Sequence, residues 1–269
     1  MRIVKVLKMT ILSLTDSALR YEYIKKFVLL MTELEKKYSI DFNTTEAEEN
    51  LTKINNENYF INLRDITYLD TQHLRKNVFY RSATLSRYTG SEELEKFLSD
   101  KKIKTIIDLR SENEPDYTPY KNISKEVNVI KIPIEPKRTN DVTQLNYSDP
   151  DKKEKFYEEM LRFHQEEIKE VFETLATQEP GFVVHCYAGK DRTGIITALV
   201  LDLLKEKSNQ LADELIEEDY INSGHNTNPN NFRIYKATLK EFGGSKRYLQ
   251  RIGVSNESIK NLIRKFTVQ

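Results

Sequence analysis

The chain has one cysteine, no excess of charge of either sign and no long apolar run. A single cysteine excludes an intramolecular disulfide. The 42 Lys and Arg balance 42 Asp and Glu, so bulk charge gives no reason to expect nucleic acid or an anionic membrane as partner. No stretch approaches the roughly 18 apolar residues of a membrane span, and stable membrane insertion is not expected. At the start, Arg2, Lys5 and Lys8 interrupt Ile3, Val4, Val6 and Leu7. That pattern lacks the apolar core and small-residue cleavage site of a signal peptide. The expected location is the cytoplasm, with export without a cleavable signal left open. Internal repeats and low-complexity segments are also missing.

With 269 residues, 38% apolar and 31% charged, the chain suits one large domain, or a domain plus an extension. Residues 14 to 38 read as a helix, with Thr15 or Asp16 as cap and Leu19, Tyr23, Phe27 and Leu30 at helical spacing. Residues 41 to 57 are acidic, polar and Asn-rich, and read as a linker. This divides the chain into an N-terminal helical extension and linker, 1–57, and a compact domain, 58–269.

Within that domain strands and helices alternate. Short strands are expected at 77–80, 103–109, 127–134 and 182–185, and helices at 92–98, 153–176 and 193–205. The long helix is expected to bury Phe156, Met160, Phe163, Val171 and Leu175. This order predicts an α/β sandwich with a mostly parallel central sheet flanked by helices.

The chemistry concentrates in one loop. Val183, Val184 and His185 lead from a buried strand into Cys186, and Arg192 follows six residues later where a helix starts. Backbone N–H groups in so tight a loop can turn inward as an anion cradle, joined by the unpaired N–H groups and positive end of the helix. That field favours the Cys186 thiolate, which can attack phosphorus. Arg192 has the planar fork to grip two phosphate oxygens. Thr193 can donate its hydroxyl to the sulfur. Gly189 permits backbone angles that a β-carbon resists, and Ala188 keeps the loop narrow. His185, Tyr187, Ala188, Gly189 and Lys190 complete the substrate-binding set, with His185 ordering the loop rather than touching substrate. A lone cysteine is more often a small buried apolar residue, but strand, cysteine, arginine, Thr-Gly and apolar helix together are far more restrictive.

The string from His185 to Gly194, His-Cys-Tyr-Ala-Gly-Lys-Asp-Arg-Thr-Gly, resembles the signature loop of the protein tyrosine phosphatase superfamily. Its Lys190-Asp191 pair is similar to the atypical tyrosine/serine phosphatase family within it. Ile61 to Asp65, Tyr80 to Ser86, Ile107 to Ser111, Asp219-Tyr220 and Tyr248 to Val254 fit the same family, over roughly residues 58 to 269. One departure is that Ile66-Thr67-Tyr68 follows Asp65 in place of a glycine-rich turn. The resemblance implies a tyrosine-phosphatase-like three-layer sandwich and a phosphomonoester hydrolase working through a Cys186 thiophosphate. It implies phosphoprotein substrates, with dual specificity and phosphoinositides also in view, and no metal or other cofactor. Lys190, with Lys137 or Arg138, could meet a second phosphate on an inositol ring.

Three carboxylates compete to protonate the leaving group. Asp108 is favoured because it ends a strand whose C-terminal edge should face the site. Asp191 lies in the loop itself, and Glu135 follows the next strand. A salt bridge with Arg110 or Arg81 is the structural alternative for Asp108. Two other functions use a similar loop. One is a phospho-ligand binding module without turnover, and the other a rhodanese-like sulfur carrier, which has no need of Arg192 before Thr-Gly.

Overall fold

The computed structural model describes residues 60–114, 117–135, 150–208, 211–223 and 229–268. The helix expected at 14–38, the linker at 41–57, and Lys137 and Arg138 lie outside the described residues.

Five strands form one sheet: β1 (Arg64–Asp65), β2 (Phe79–Ser82), β3 (Thr105–Asp108), β4 (Asn128–Lys131) and β5 (Phe182–His185). Their spatial order is β1-β2-β5-β3-β4. Only β1 runs antiparallel to its neighbour; the remaining pairs are parallel. The central strands β2, β3 and β5 are buried along their whole length, as apolar runs covered on both faces should be. Alternation then sorts their side chains. Tyr80, Ile106 and Val183 point to one core, and Phe79, Ile107, Phe182 and Val184 to the other.

The first core is closed by α1 (Glu92–Asp100), which buries Leu94, Phe97 and Leu98. Its start is fixed by Ser91, whose Oγ accepts from the Leu94 N–H at 3.2 Å. Glu92, Glu93 and Glu95 complement the positive end of the helix. The second core is larger. Its centre is α4 (Asp191–Leu204), buried almost all round, with Ile195, Ile196, Leu199, Val200 and Leu203 among its packed residues. Around it lie α2 (Pro150–Phe163), α3 (Gln165–Thr177), α5 (Asp213–Ile221), α6 (Pro229–Glu241), α7 (Ser245–Arg251) and α8 (Asn256–Phe266). Helices on both faces of the sheet give the expected three layers. No described helix is long and apolar enough to cross a membrane.

Most element ends lie one to four residues from the sequence expectation, and three departures have a local cause. The strand expected at 77–80 begins two residues later, because Asn77 has a left-handed backbone (φ 62°) and donates its N–H to Asp65 at 2.8 Å. The helix expected at 153–176 is two helices, broken at His164, where φ −110° and ψ 36° leave the helical range. Phe163, the last residue before the break, is 52% exposed rather than buried as expected, while Ile168 and Phe172 after it are buried. Finally, Asp65 does the work of the missing glycine turn. It caps a 3₁₀ turn over Ile66–Leu69, accepting from the Thr67 N–H at 3.0 Å.

Because the main strands are parallel, Ser82, His185, Asp108 and Lys131 stand side by side at one edge of the sheet. The loops that follow them share that edge, where open α/β sheets bind ligands. The opposite end of β5 is set by Gly181 (φ 111°), where an added Cβ would lie 2.3 Å from the Lys102 carbonyl oxygen. Gly181→Ala is expected to lower stability by about 1–3 kcal/mol. Urea unfolding should show an earlier midpoint with an unchanged slope, and an unmoved midpoint would show that the backbone there can shift.

Candidate active site

The loop between β5 and α4 is shaped from outside. The Cys186 carbonyl accepts from His185 Nδ1 at 3.0 Å, and that of Tyr187 from the Thr84 N–H at 3.1 Å. The Ala188 carbonyl accepts from Asn62 Nδ2 at 2.7 Å, and the Gly189 carbonyl from Arg81 at 2.8 Å. The Lys190 carbonyl accepts from the Gly194 N–H at 2.8 Å. No described peptide is cis, and in a trans peptide the N–H points opposite the C=O. Five successive carbonyls drawn outward therefore turn the amides of residues 187 to 191 toward the loop's interior. The same loop ends at the positive terminus of α4.

Gly189 is required twice over. Its φ is +68°, and a Cβ there would lie 2.4 Å from the Ser82 oxygen and 2.5 Å from the Ala83 nitrogen. Behind it sits Arg81, fully buried, which donates to the Asp219 carboxylate and, at 2.7 Å, to Ser223 Oγ. Asp219 also accepts from Arg64 Nε at 2.8 Å and from Tyr68 OH at 2.7 Å. Burial pushes the Asp219 carboxyl up, but Arg81 and Arg64 outweigh it and hold it below the usual carboxylate range.

Cys186 sits at the base of the loop, 3% exposed. Arg192, in the first turn of α4, makes a two-pronged pair with Glu114, at 2.5 and 2.8 Å. It also donates to the Leu109 carbonyl at 3.1 Å. Glu114 is in turn set by the Ser111 N–H at 2.8 Å. Thr193 Oγ1 is buried and makes no hydrogen bond among the described residues, so the bond to sulfur expected from sequence is not formed here. The Tyr187 hydroxyl accepts from Arg87 at 2.6 Å, and that guanidinium lies 4.9 Å from the ring centre. Lys190 is the N-cap residue of α4 and half-buried.

The three candidate acids have different fates. Asp108 has no exposed surface and is spent on Arg110, accepting at 2.8 Å from Nε, 2.6 Å from Nη2 and 3.0 Å from the N–H. Burial alone would raise its carboxyl, yet the bonds and charge of Arg110 hold it below the ordinary range. The structural alternative, a brace with Arg110, is therefore the observed arrangement. Glu135 accepts from Ser111 Oγ. Asp191 is half-buried at the start of α4, where its Oδ1 accepts from Tyr157 OH.

His185 is held neutral. Burial pushes its pKa below the ordinary 6.5, against the opposing pull of Asp108. With Nδ1–H donating to the Cys186 carbonyl, Nε2 must accept from Tyr120 OH, at 2.7 Å. Its two ring nitrogens thus meet the first carbonyl of the loop and Tyr120. Asn62, Arg81, Glu114, Tyr157 and Asp219 were not singled out from sequence as site residues. Of these, a counter-charge for a buried arginine was the signal available, since guanidinium groups rarely sit buried unpaired.

A family model described as "Tyrosine phosphatase family" matches residues 57–240. A tyrosine-protein phosphatase of Nostoc commune is 28% identical over 216 residues, spanning 69% of this chain and 73% of that protein. The solved structure of P. aeruginosa TpbA in complex with pTyr aligns with a TM-score of 0.33 and 16% identity, over 66% of this chain and 91% of that one.

The depressed His185 pKa fixes the sign of a pH effect. Below about pH 6.5 the unfolded chain takes up a proton that the folded His185 refuses, so stability falls as pH drops. The loss in urea midpoint between pH 7 and pH 5 should be smaller for His185→Asn than for the parent. Equal losses would assign the titration to other groups.

Proposed function

This chain belongs to the tyrosine phosphatase family and is a phosphatase; we propose that it hydrolyses phosphotyrosine through a covalent Cys186 intermediate, with 58–269 as the catalytic domain. The observation that carries this reading is the set of five outward-held carbonyls, which leaves a ring of inward amides above the only cysteine. Such a ring suits a tetrahedral dianion such as a phosphate ester. The named relative from Nostoc commune is a tyrosine-protein phosphatase, in keeping with a phosphotyrosine substrate.

In the proposed first step the Cys186 thiolate attacks phosphorus in line. The S–P bond forms as the P–O bond to the phenol breaks, and the leaving oxygen takes a proton from an acid. Water then attacks the thiophosphate, the S–P bond breaks, and the water proton returns to the same carboxylate. Inorganic phosphate and the thiolate result. Arg192 would share its fork between Glu114 and the phosphate oxygens, spreading the charge of the transition state.

We assign the acid to Asp191 rather than to Asp108. An acid that cycles once per turnover must exchange its proton with substrate and water. Asp108 is sealed from both and locked to Arg110, whereas Asp191 is part-exposed at the lip of the cradle. Glu135 is held by Ser111 on the next loop.

Metal-free turnover of a phosphotyrosine peptide should vanish in Cys186→Ser. A phosphoserine peptide and a phosphoinositide panel assayed beside it measure how far the specificity extends. Asp191→Asn should slow aryl phosphates with poor leaving groups by about 10²–10⁴ while nearly sparing the best ones. Equal slowing along that series would reject Asp191 as the acid.

A further inference from the structure

Tyr157 is a buried polar group in contact with the loop that the mechanism above does not use. It stands on α2, 1% exposed, among the apolar residues of the second core. A helix position inside such a core is served as well by phenylalanine, and the hydroxyl would there be costly without a partner. Here it has two. It donates to Asp191 Oδ1 and lies 2.6 Å from Tyr220 OH.

The directions of these bonds follow from one end. An ionised carboxylate only accepts, so the Tyr157 hydrogen points to Asp191. Tyr157 oxygen then accepts from Tyr220, and Tyr220 oxygen accepts from Asn231 Nδ2 at 3.4 Å. Three hydrogen bonds from three helices, α6 to α5 to α2, all aim at one carboxylate oxygen. Burial, then the Asp191 charge, pushes the Tyr157 phenol well above its ordinary range, so it stays a donor through the working pH range.

The chain is also stiff. Tyr220 packs edge-on to Tyr157, with ring centres 5.8 Å apart at 85°, and stacks on Phe232. On its other side the ring meets Gly194, where an added Cβ would lie 3.1 Å from Tyr220 Cδ2. The same ring that relays the hydrogen bond thus seats the first turn of α4.

We propose that Tyr157 is a positioning residue for the acid: by occupying Asp191 Oδ1 as a donor, it confines the transferable proton to Oδ2 and fixes where that oxygen meets the leaving group. This rests on the assignment of Asp191 as the acid. The phenol takes no proton and touches no substrate. Its effect is confined to the step in which the leaving oxygen is protonated.

The test is a leaving-group series of aryl phosphates on the full chain with Tyr157→Phe, Asp191→Asn and the double substitution. Tyr157→Phe should lower kcat/KM roughly tenfold for the poorest leaving group and less than twofold for the best, a fraction of the full general-acid effect. It should add nothing in the Asp191→Asn background. A uniform loss along the series, or an additive loss in the double variant, would overturn the proposal and leave Tyr157 a packing residue. A steep series for Asp191→Asn with a flat one for Tyr157→Phe defeats the role of Tyr157 alone. A flat series for Asp191→Asn defeats the acid assignment and this inference with it. Should Tyr157→Phe not fold, Tyr220→Phe carries the test, because it keeps the bond to Asp191 but removes its support. A weaker loss with the same slope is expected, and a flat response overturns the proposal.

Discussion

The Arg81 guanidinium, held between the Asp219 carboxylate and the Gly189 carbonyl, is the contact on which the rest of the site depends. It pulls one peptide of the loop outward at its tightest point, where Gly189 meets the backbone of β2. An arginine with no exposed surface is costly to bury, and removing one partner of such a pair typically costs about 3–5 kcal/mol. The cost here is offset by a shared network: Arg64, Tyr68 and Ser223 satisfy the same group of atoms. The loop is thus held at Gly189 by a charged network that lies outside it.

Three carboxylates paired with arginine surround the loop, and burial sorts them by role. Arg81–Asp219 and Arg110–Asp108 are sealed. Arg192–Glu114 keeps 12% and 21% of its side chains in contact with solvent. A sealed pair can only brace, because neither partner has anywhere to go. The third is open to solvent on both partners, and Glu114 sets the direction of the Arg192 fork. This sorting also separates Asp108 from Asp191, two carboxylates that the sequence leaves in competition.

Much of this was readable beforehand. The β-branched runs before Asp108 and Cys186, the glycine of the loop and the apolar helix behind it predict the parallel sheet and the loop that carries Cys186 between strand and helix. What could not be read depended on pairs distant in sequence. Nothing near Arg192 points to Glu114, and nothing near Asp191 points to Tyr157, because each pairing is decided by how helices and loops pack. The break at His164 was also invisible, since neither proline nor glycine marks it and the apolar spacing runs through it. Asp65 shows the converse case: the missing glycine turn suggested altered local geometry, and a carboxylate cap supplied the same reversal by other means.

The span of the contacts that hold the loop has a consequence for how the protein is made. Asn62 reaches Ala188 across 126 residues, and Arg81 reaches Asp219 across 138. A ribosome releases the cysteine and its arginine well before the segment carrying Asp219 and Ser223. Until that segment docks, Arg81, which holds the Gly189 carbonyl, lacks its counter-charge, and long-range closures of this kind form late. A nascent chain therefore carries Cys186 in a loop that is not yet fully braced. The last brace forms only when nearly the whole domain has been synthesised.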